Sequence, residues 1–143
     1  MSARAQNYPP QNYKVPSFPS INWQLRDLTD DHRWSLFYIH DIWRFTVIWT
    51  FIIYAAVHMG AAAITIVMHT NKRGSLTYLW AVPLLYAFVA GVQAIFAGSV
   101  VGLILGAVYN AGYFSMSTWV PLLWGVINVL VLIISSFSIQ GGL

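Results

Sequence analysis

Apolar residues dominate three long runs in the last two thirds of the chain, separated by short polar breaks. The first run covers about residues 43–68, the second about 76–109, and the third about 119–139. A bilayer's hydrocarbon core is ~30 Å thick and needs about 20 apolar residues in a helix, so each run is long enough to cross it. The second run is too long for an upright helix: at 1.5 Å per residue it extends about 50 Å. It must tilt, project or break, and Pro83 and Gly91 are the natural break points. Pro121 suits the first turn of the third run. The pattern predicts an all-α membrane protein with three transmembrane helices.

Two segments precede the first run. Residues 1–33 carry Pro9, Pro10, Pro16 and Pro19 and repeat Gln-Asn-Tyr at Gln6–Tyr8 and Gln11–Tyr13. Proline removes backbone donors and favours extended chain, so this is an extended N-terminal tail, either a docking arm or a loosely held segment. Thr29, Asp30 and Asp31 suit a helix N-cap and first turn. Beyond them Trp34, Phe37, Tyr38 and Asp41 recur at helical spacing. That stretch reads as an interfacial helix feeding the first span. Asp41 and Arg44 are three apart and can form a structural ion pair. The domain division is thus a tail over 1–33 and a membrane domain over 34–143.

Charge sharpens the picture. The chain has 143 residues, 58% apolar and 8% charged, against about 25% charged in a soluble domain. No Asp, Glu, Lys or Arg lies beyond Arg73. Lipid accepts such a surface and water does not. A net charge of +3, scattered, does not point to nucleic acid. The polar start has no apolar h-region of a signal peptide. Lys72 and Arg73 argue for a cytosolic first loop, whereas Arg26, Arg33 and Arg44 argue the opposite.

Soluble-enzyme chemistry finds no residues to carry it. Cysteine is absent, which removes disulfides and thiolate ligands. His58 and His69 share a helix face but stand about 16 Å apart along it, too far for one metal. His40 and Asp41 are adjacent and diverge. No phosphate-binding glycine loop or acid–base carboxylate pair occurs, so no catalytic residue, cofactor or metal is expected. An ion-driven transporter needs intramembrane carboxylates, and the last acid is Asp41.

Two patterns remain. In the second run Ala90, Ala94, Gly98, Gly102 and Gly106 recur every four residues. Such a ribbon of small residues brings helix backbones close in lipid. Its partner is another helix of this chain, a second copy in a homodimer, or a different membrane subunit. The second pattern is one neutral hydrogen-bonding side chain near the centre of each run: His58, Gln93 and Asn128, with Tyr54, Tyr86 and Ser99 within about two turns. Polar groups at this depth face a bundle interior or a wet cavity. They either tie the helices together or line a polar path that lowers the desolvation cost of a lipid headgroup crossing the membrane.

Trp43, Trp49 and His58, the short basic loop Lys72-Arg73-Gly74, and the long small-residue run closing in Val108-Tyr109 and Ala111-Gly112 resemble the transmembrane protein 170 family. The resemblance covers about residues 37–139. It implies a multi-pass endoplasmic-reticulum protein, with links to the nuclear envelope and membrane contact sites. It further implies phospholipid scrambling or lipid entry beside a large bridge-like lipid-transfer protein. The alternative is a membrane-shaping or assembly subunit of the reticulum and nuclear envelope that moves no lipid.

Overall fold

The computed structural model describes residues 9–21, 34–69 and 80–141. In chain order these hold a short strand β1 (Ser35–Leu36), a helix α1 (Ile39–His69), a helix α2 (Ala81–Ala111), a short strand β2 (Met116–Ser117) and a helix α3 (Trp119–Gly141). All three helices are long and apolar enough to cross a membrane. The Thr29-Asp30-Asp31 cap and the basic loop at Lys72 and Arg73 lie outside the described residues.

α1 is the central helix, because α2 and α3 both pack on it and scarcely on each other. α2 runs antiparallel to α1. A Cβ placed on Gly98 would stand 3.0 Å from Val47 Cα, one on Gly102 3.1 Å from Trp43 Cα, and one on Gly106 2.7 Å from Ile39 Cγ2. Ala90, Ala94, Gly98, Gly102 and Gly106 are all buried. The partner of the small-residue ribbon is therefore α1 of the same chain. α3 runs parallel to α1 and approaches it at Gly125, where a Cβ would meet Ile53 Cδ1 at 2.9 Å and Thr50 N at 3.2 Å.

α2 is a single unbroken helix. Pro83 is its third residue, where the missing N–H has no helical partner to lose. Gly91 is helical too, with the Phe51 ring 3.5 Å from its Cβ position. α1 and α2, at 31 residues each, extend about 46 Å. Both therefore exceed the hydrocarbon core. Arg44 is exposed and marks the headgroup level at one end. From Phe45 to Met68, α1 then covers about 36 Å, which a modest tilt accommodates.

The first turns of α1 and the last turns of α2 project together into the headgroup zone, where they carry a small cap. Its core is Leu36, Ile42, Phe45, Leu105 and Met116, with Phe18, Val101, Tyr109, Val120 and Trp124 packed around it. β1 and β2 pair antiparallel across it, Ser35 opposite Ser117 and Leu36 opposite Met116. Thr118 N–H extends the ladder by donating to Trp34 O at 3.1 Å. This pairing corrects the sequence expectation of a helix beginning at Trp34. Residues 35–36 take extended backbone because a strand partner satisfies them, and helix starts at Ile39 and continues without a joint into the span.

The loop leading to β2 is set by how α2 ends. Tyr113 N–H donates to Asn110 O at 3.3 Å and Phe114 N–H to Tyr109 O at 3.0 Å. These are the paired bonds of a Schellman stop. The residue in left-handed backbone is Tyr113, with φ of 55°, whereas Gly112 before it has φ of −82°. A tyrosine there costs about 1–2 kcal/mol relative to glycine.

The N-terminal segment is held by its own membrane domain. Residues 9–21 form no helix or strand, yet Pro16 is buried. Phe18 packs edge-on against Phe45 at 5.5 Å and against Trp49 at 5.2 Å. Tyr13 packs edge-on against Phe37 at 4.9 Å and its hydroxyl donates to Ser35 O at 2.8 Å. Burial and the nearby Asp41 charge push the Tyr13 phenol up to about 12.

Asp41 is 7% exposed and stands 3.7 Å from His40 Nδ1, while Arg44 is exposed and makes no ion pair among the described residues. The expected Asp41–Arg44 pair is thus not formed. Asp41 is buried beside His40, close enough for its charge to act on Tyr13, and Arg44 faces outward.

Two outcomes test this packing. Gly102→Val is expected to destabilise the α1–α2 pair by about 1–3 kcal/mol in SDS-induced unfolding. Gly60→Ala, with nothing within 4 Å of its Cβ, should be neutral or stabilising by up to about 1 kcal/mol; equal losses for both would refute a ribbon-specific contact. A raised Tyr13 pKa means the arm's docking holds below about pH 10 and weakens as pH rises through about 12. Tryptic cleavage at the exposed Lys14 should accelerate in Phe18→Ala at neutral pH. Cleavage at the wild-type rate would show that Phe18 does not hold the arm.

Candidate functional site

Thr46, Thr50, Tyr54, His58 and Ala62 follow one another every four residues on α1, so they form one stripe along the helix. Four of the five are polar, and all but half-buried His58 are buried. The upper part of the stripe faces the glycine ribbon. The Gly98 Cβ position lies 3.2 Å from Thr50 Cβ, and that of Gly102 3.3 Å from Thr46 Cβ. Small residues on α2 thus make the room in which α1 holds its polar stripe. Thr46 satisfies its own hydroxyl by donating to Ile42 O at 2.8 Å.

The lower part of the stripe faces α3. Tyr54 hydroxyl donates to the Asn128 backbone carbonyl at 3.1 Å. Asn128 Nδ2 donates back to Thr50 Oγ1 at 3.3 Å. Asn128 itself is 9% exposed and Tyr54 3%. One turn further on, His58 Nδ1 lies 2.9 Å from Tyr54 O. A carbonyl only accepts, so Nδ1 carries the proton and the other ring nitrogen, Nε2, is left as an acceptor in the uncharged ring. The His58 ring stacks on Tyr54 at 6.0 Å and meets the edge of Tyr86 at 6.4 Å.

Beside His58 the three helices part around a cavity of about 210 Å³, lined by Val57, His58, Ala61, Tyr86, Leu132, Ile133, Ser136 and Phe137. By the proposed bilayer placement it lies near mid-depth, well below Arg44. Its wall is apolar except for one imidazole, one phenol and one hydroxyl.

The structure therefore gathers His58, Tyr54, Tyr86 and Asn128 from the expected polar set. It leaves Gln93 and Ser99 outside the hydrogen-bonded cluster. Ser99 is half-buried beside Gly98, nearer the headgroup end. Gln93 lies seven residues from Tyr86, hence on the same face of α2, and its Oε1 is buried without a partner. Trp49 Nε1 and Thr118 Oγ1 are likewise buried and unpaired, each at a cost of ~1–3 kcal/mol. Sequence reasoning missed Thr46, Thr50, Gly125 and Ser136. The first two were legible as the continuation of Tyr54 and His58 at four-residue steps. Gly125 and Ser136 carry no signal of their own, because which face of α3 meets α1 depends on tertiary packing.

No group of three His, Asp or Glu side chains able to hold a metal occurs among the described residues. What the site offers is hydrogen bonding without charge in a cleft at membrane depth.

Tyr54→Phe removes one interhelical bond and should lower unfolding stability by about 0.6 kcal/mol, at most ~1.7. A double-mutant cycle on Thr50→Ala and Asn128→Ala should show positive coupling of similar size. Strict additivity would mean that the 3.3 Å contact contributes nothing.

No solved structure matches the chain. A Saccharomyces cerevisiae (strain S288c) protein named Uncharacterized protein YPR153W is 37% identical over 132 residues, covering 92% of this chain and 91% of that protein. The family described as Transmembrane protein 170A/B-like matches residues 35–143, which takes in both strands, all three helices, the glycine ribbon and the His58 cleft. With the greater part of its length matched, the chain belongs to the Transmembrane protein 170A/B-like family.

Proposed function

We propose that the protein lets phospholipids exchange between leaflets, as a scramblase or lipid-entry subunit of the endoplasmic-reticulum membrane. The observation that carries this reading is the cleft beside α1. α2 and α3 scarcely touch, and the gap between them exposes His58 and Tyr86 toward lipid at mid-depth. A headgroup entering hydrocarbon loses its hydration. Neutral donors and acceptors along the cleft offset part of that loss. A fixed charge there would hold the headgroup in place, and Asp41 and Arg44, the described charges on α1, stand about 26 Å and about 21 Å from His58 along the helix.

The cap at the headgroup level supplies the second half of the reading. It is a folded platform at the membrane surface, built from the ends of two helices, the strand pair and the arm. A large bridge-like lipid-transfer protein seated on such a platform would deliver lipid to the cleft or collect it. A membrane-shaping or assembly role without lipid movement remains the competing reading, and the same experiment separates the two.

Purified protein in liposomes with fluorescent phospholipid is expected to open the inner leaflet to a membrane-impermeant quencher. Exchange at the protein-free rate would sink the proposal and leave the shaping role. His58→Leu combined with Tyr86→Phe removes polarity from the cleft while keeping the Tyr54–Asn128–Thr50 bonds. This variant should slow exchange by about tenfold, the effect of roughly 1.4 kcal/mol on a barrier; wild-type exchange would remove the cleft from the path.

A further inference from the structure

We infer that the His58 cavity is a binding site for an uncharged, hydroxyl-bearing lipid of the diacylglycerol class. The inference rests on reading the cleft as open to lipid. It goes further by assigning the chemistry that the cavity itself selects.

The hydrogen-bonding inventory points to a donor. His58 Nδ1 is committed to Tyr54 O at 2.9 Å, on its own helix one turn back. Nε2 is the ring nitrogen left over, at the edge opposite that bond, on a side chain that lines the cavity. An imidazole nitrogen in this state accepts and cannot donate. An unanswered acceptor at hydrocarbon depth calls for an O–H or N–H from outside the chain.

The rest of the wall excludes charge. No Lys, Arg, Asp or Glu lines the cavity, so a passing phosphate finds no counterion to hold it there. A quaternary ammonium headgroup brings no donor. An uncharged glycerol hydroxyl donates to the imidazole and can accept from the Tyr86 phenol on the same wall. The Ser136 hydroxyl, exposed at the cavity margin, can receive or return a second bond.

Position favours diacylglycerol over a sterol. The cavity is a groove open on one side. It opens sideways at mid-depth, so flexible acyl chains can stay along the exposed faces of Val57 and Phe137 while the glycerol turns inward. A sterol is rigid and would have to bring its whole ring system to the same depth.

The test is photolabelling of the full-length protein in nanodiscs, using a diacylglycerol with a photoreactive group close to its glycerol. Label is expected on residues 132–137 and should fall at least about fivefold with excess unlabelled diacylglycerol. Phosphatidylcholine or a sterol competing as well as diacylglycerol would overturn the assignment. His58→Phe keeps the ring packing and removes the acceptor, so it should cut labelling about fivefold, the effect of one hydrogen bond. Ser136→Ala, at an exposed position, should reduce it in the same direction. Ser135→Ala is the control, because that hydroxyl is bonded to Val131 O at 2.7 Å within its own helix. Wild-type labelling in both His58→Phe and Ser136→Ala overturns the inference. Labelling without phospholipid exchange would leave this site standing and remove the scramblase reading, and exchange without labelling would do the reverse.

Discussion

The close approach of α1 and α2 is the contact on which the rest of the molecule depends. Helices in lipid gain little from burying apolar side chains against one another, since the tails around them are equally apolar. Attraction has to come from backbone proximity and from polar contacts that proximity permits. Gly98, Gly102 and Gly106 supply the first, with their Cβ positions already at contact distance from α1. Thr46, Thr50 and Tyr54 depend on the second. The same small residues that draw the helices together leave space for hydroxyls that would otherwise face hydrocarbon.

Registration follows from that contact. Once Gly106 is seated on Ile39, the ends of α1 and α2 are level and project together past Arg44. This brings the segments flanking them, Ser35–Leu36 and Met116–Ser117, near enough to pair. The pair in turn fixes where α3 begins, two residues after Ser117. Asn128 then falls opposite Thr50 and Tyr54. A chain of steps thus connects a run of glycines on one helix to a hydrogen bond on another.

Much of this was written locally in the sequence and some was not. Three spans, their approximate limits and the small-residue ribbon follow from composition and spacing alone. The centring of His58 and Asn128 in their spans was also legible. The start of α1 was not: aromatic residues at Trp34, Phe37 and Tyr38 have helical spacing, but a strand partner more than 80 residues away decides the backbone. The Asp41–Arg44 pair failed for a similar reason, because spacing says which groups can meet and burial decides which do. Gln93 shows the same limit from the other side. It is central in its span, yet its side-chain oxygen is buried without a partner.

That gap is itself a consequence of how the stabilising contacts are distributed. α1 has a glycine-rich partner on one side and Gly125 of α3 on the other, so both neighbours come close to it. α2 spends its small residues on α1, and its other faces carry large side chains such as Phe88, Ile95 and Phe96, all exposed. α3 presents Leu130, Ile134 and Phe137 outward in the same way. Bulky lipid-facing surfaces offer no route to backbone contact, so nothing draws α2 and α3 together. A three-helix protein built on one central helix therefore keeps a lateral opening, floored by Val57, His58 and Ala61 of that helix. The ribbon that makes the fold stable and the cleft that makes it chemically interesting have one origin, the concentration of small residues on the two faces that meet α1.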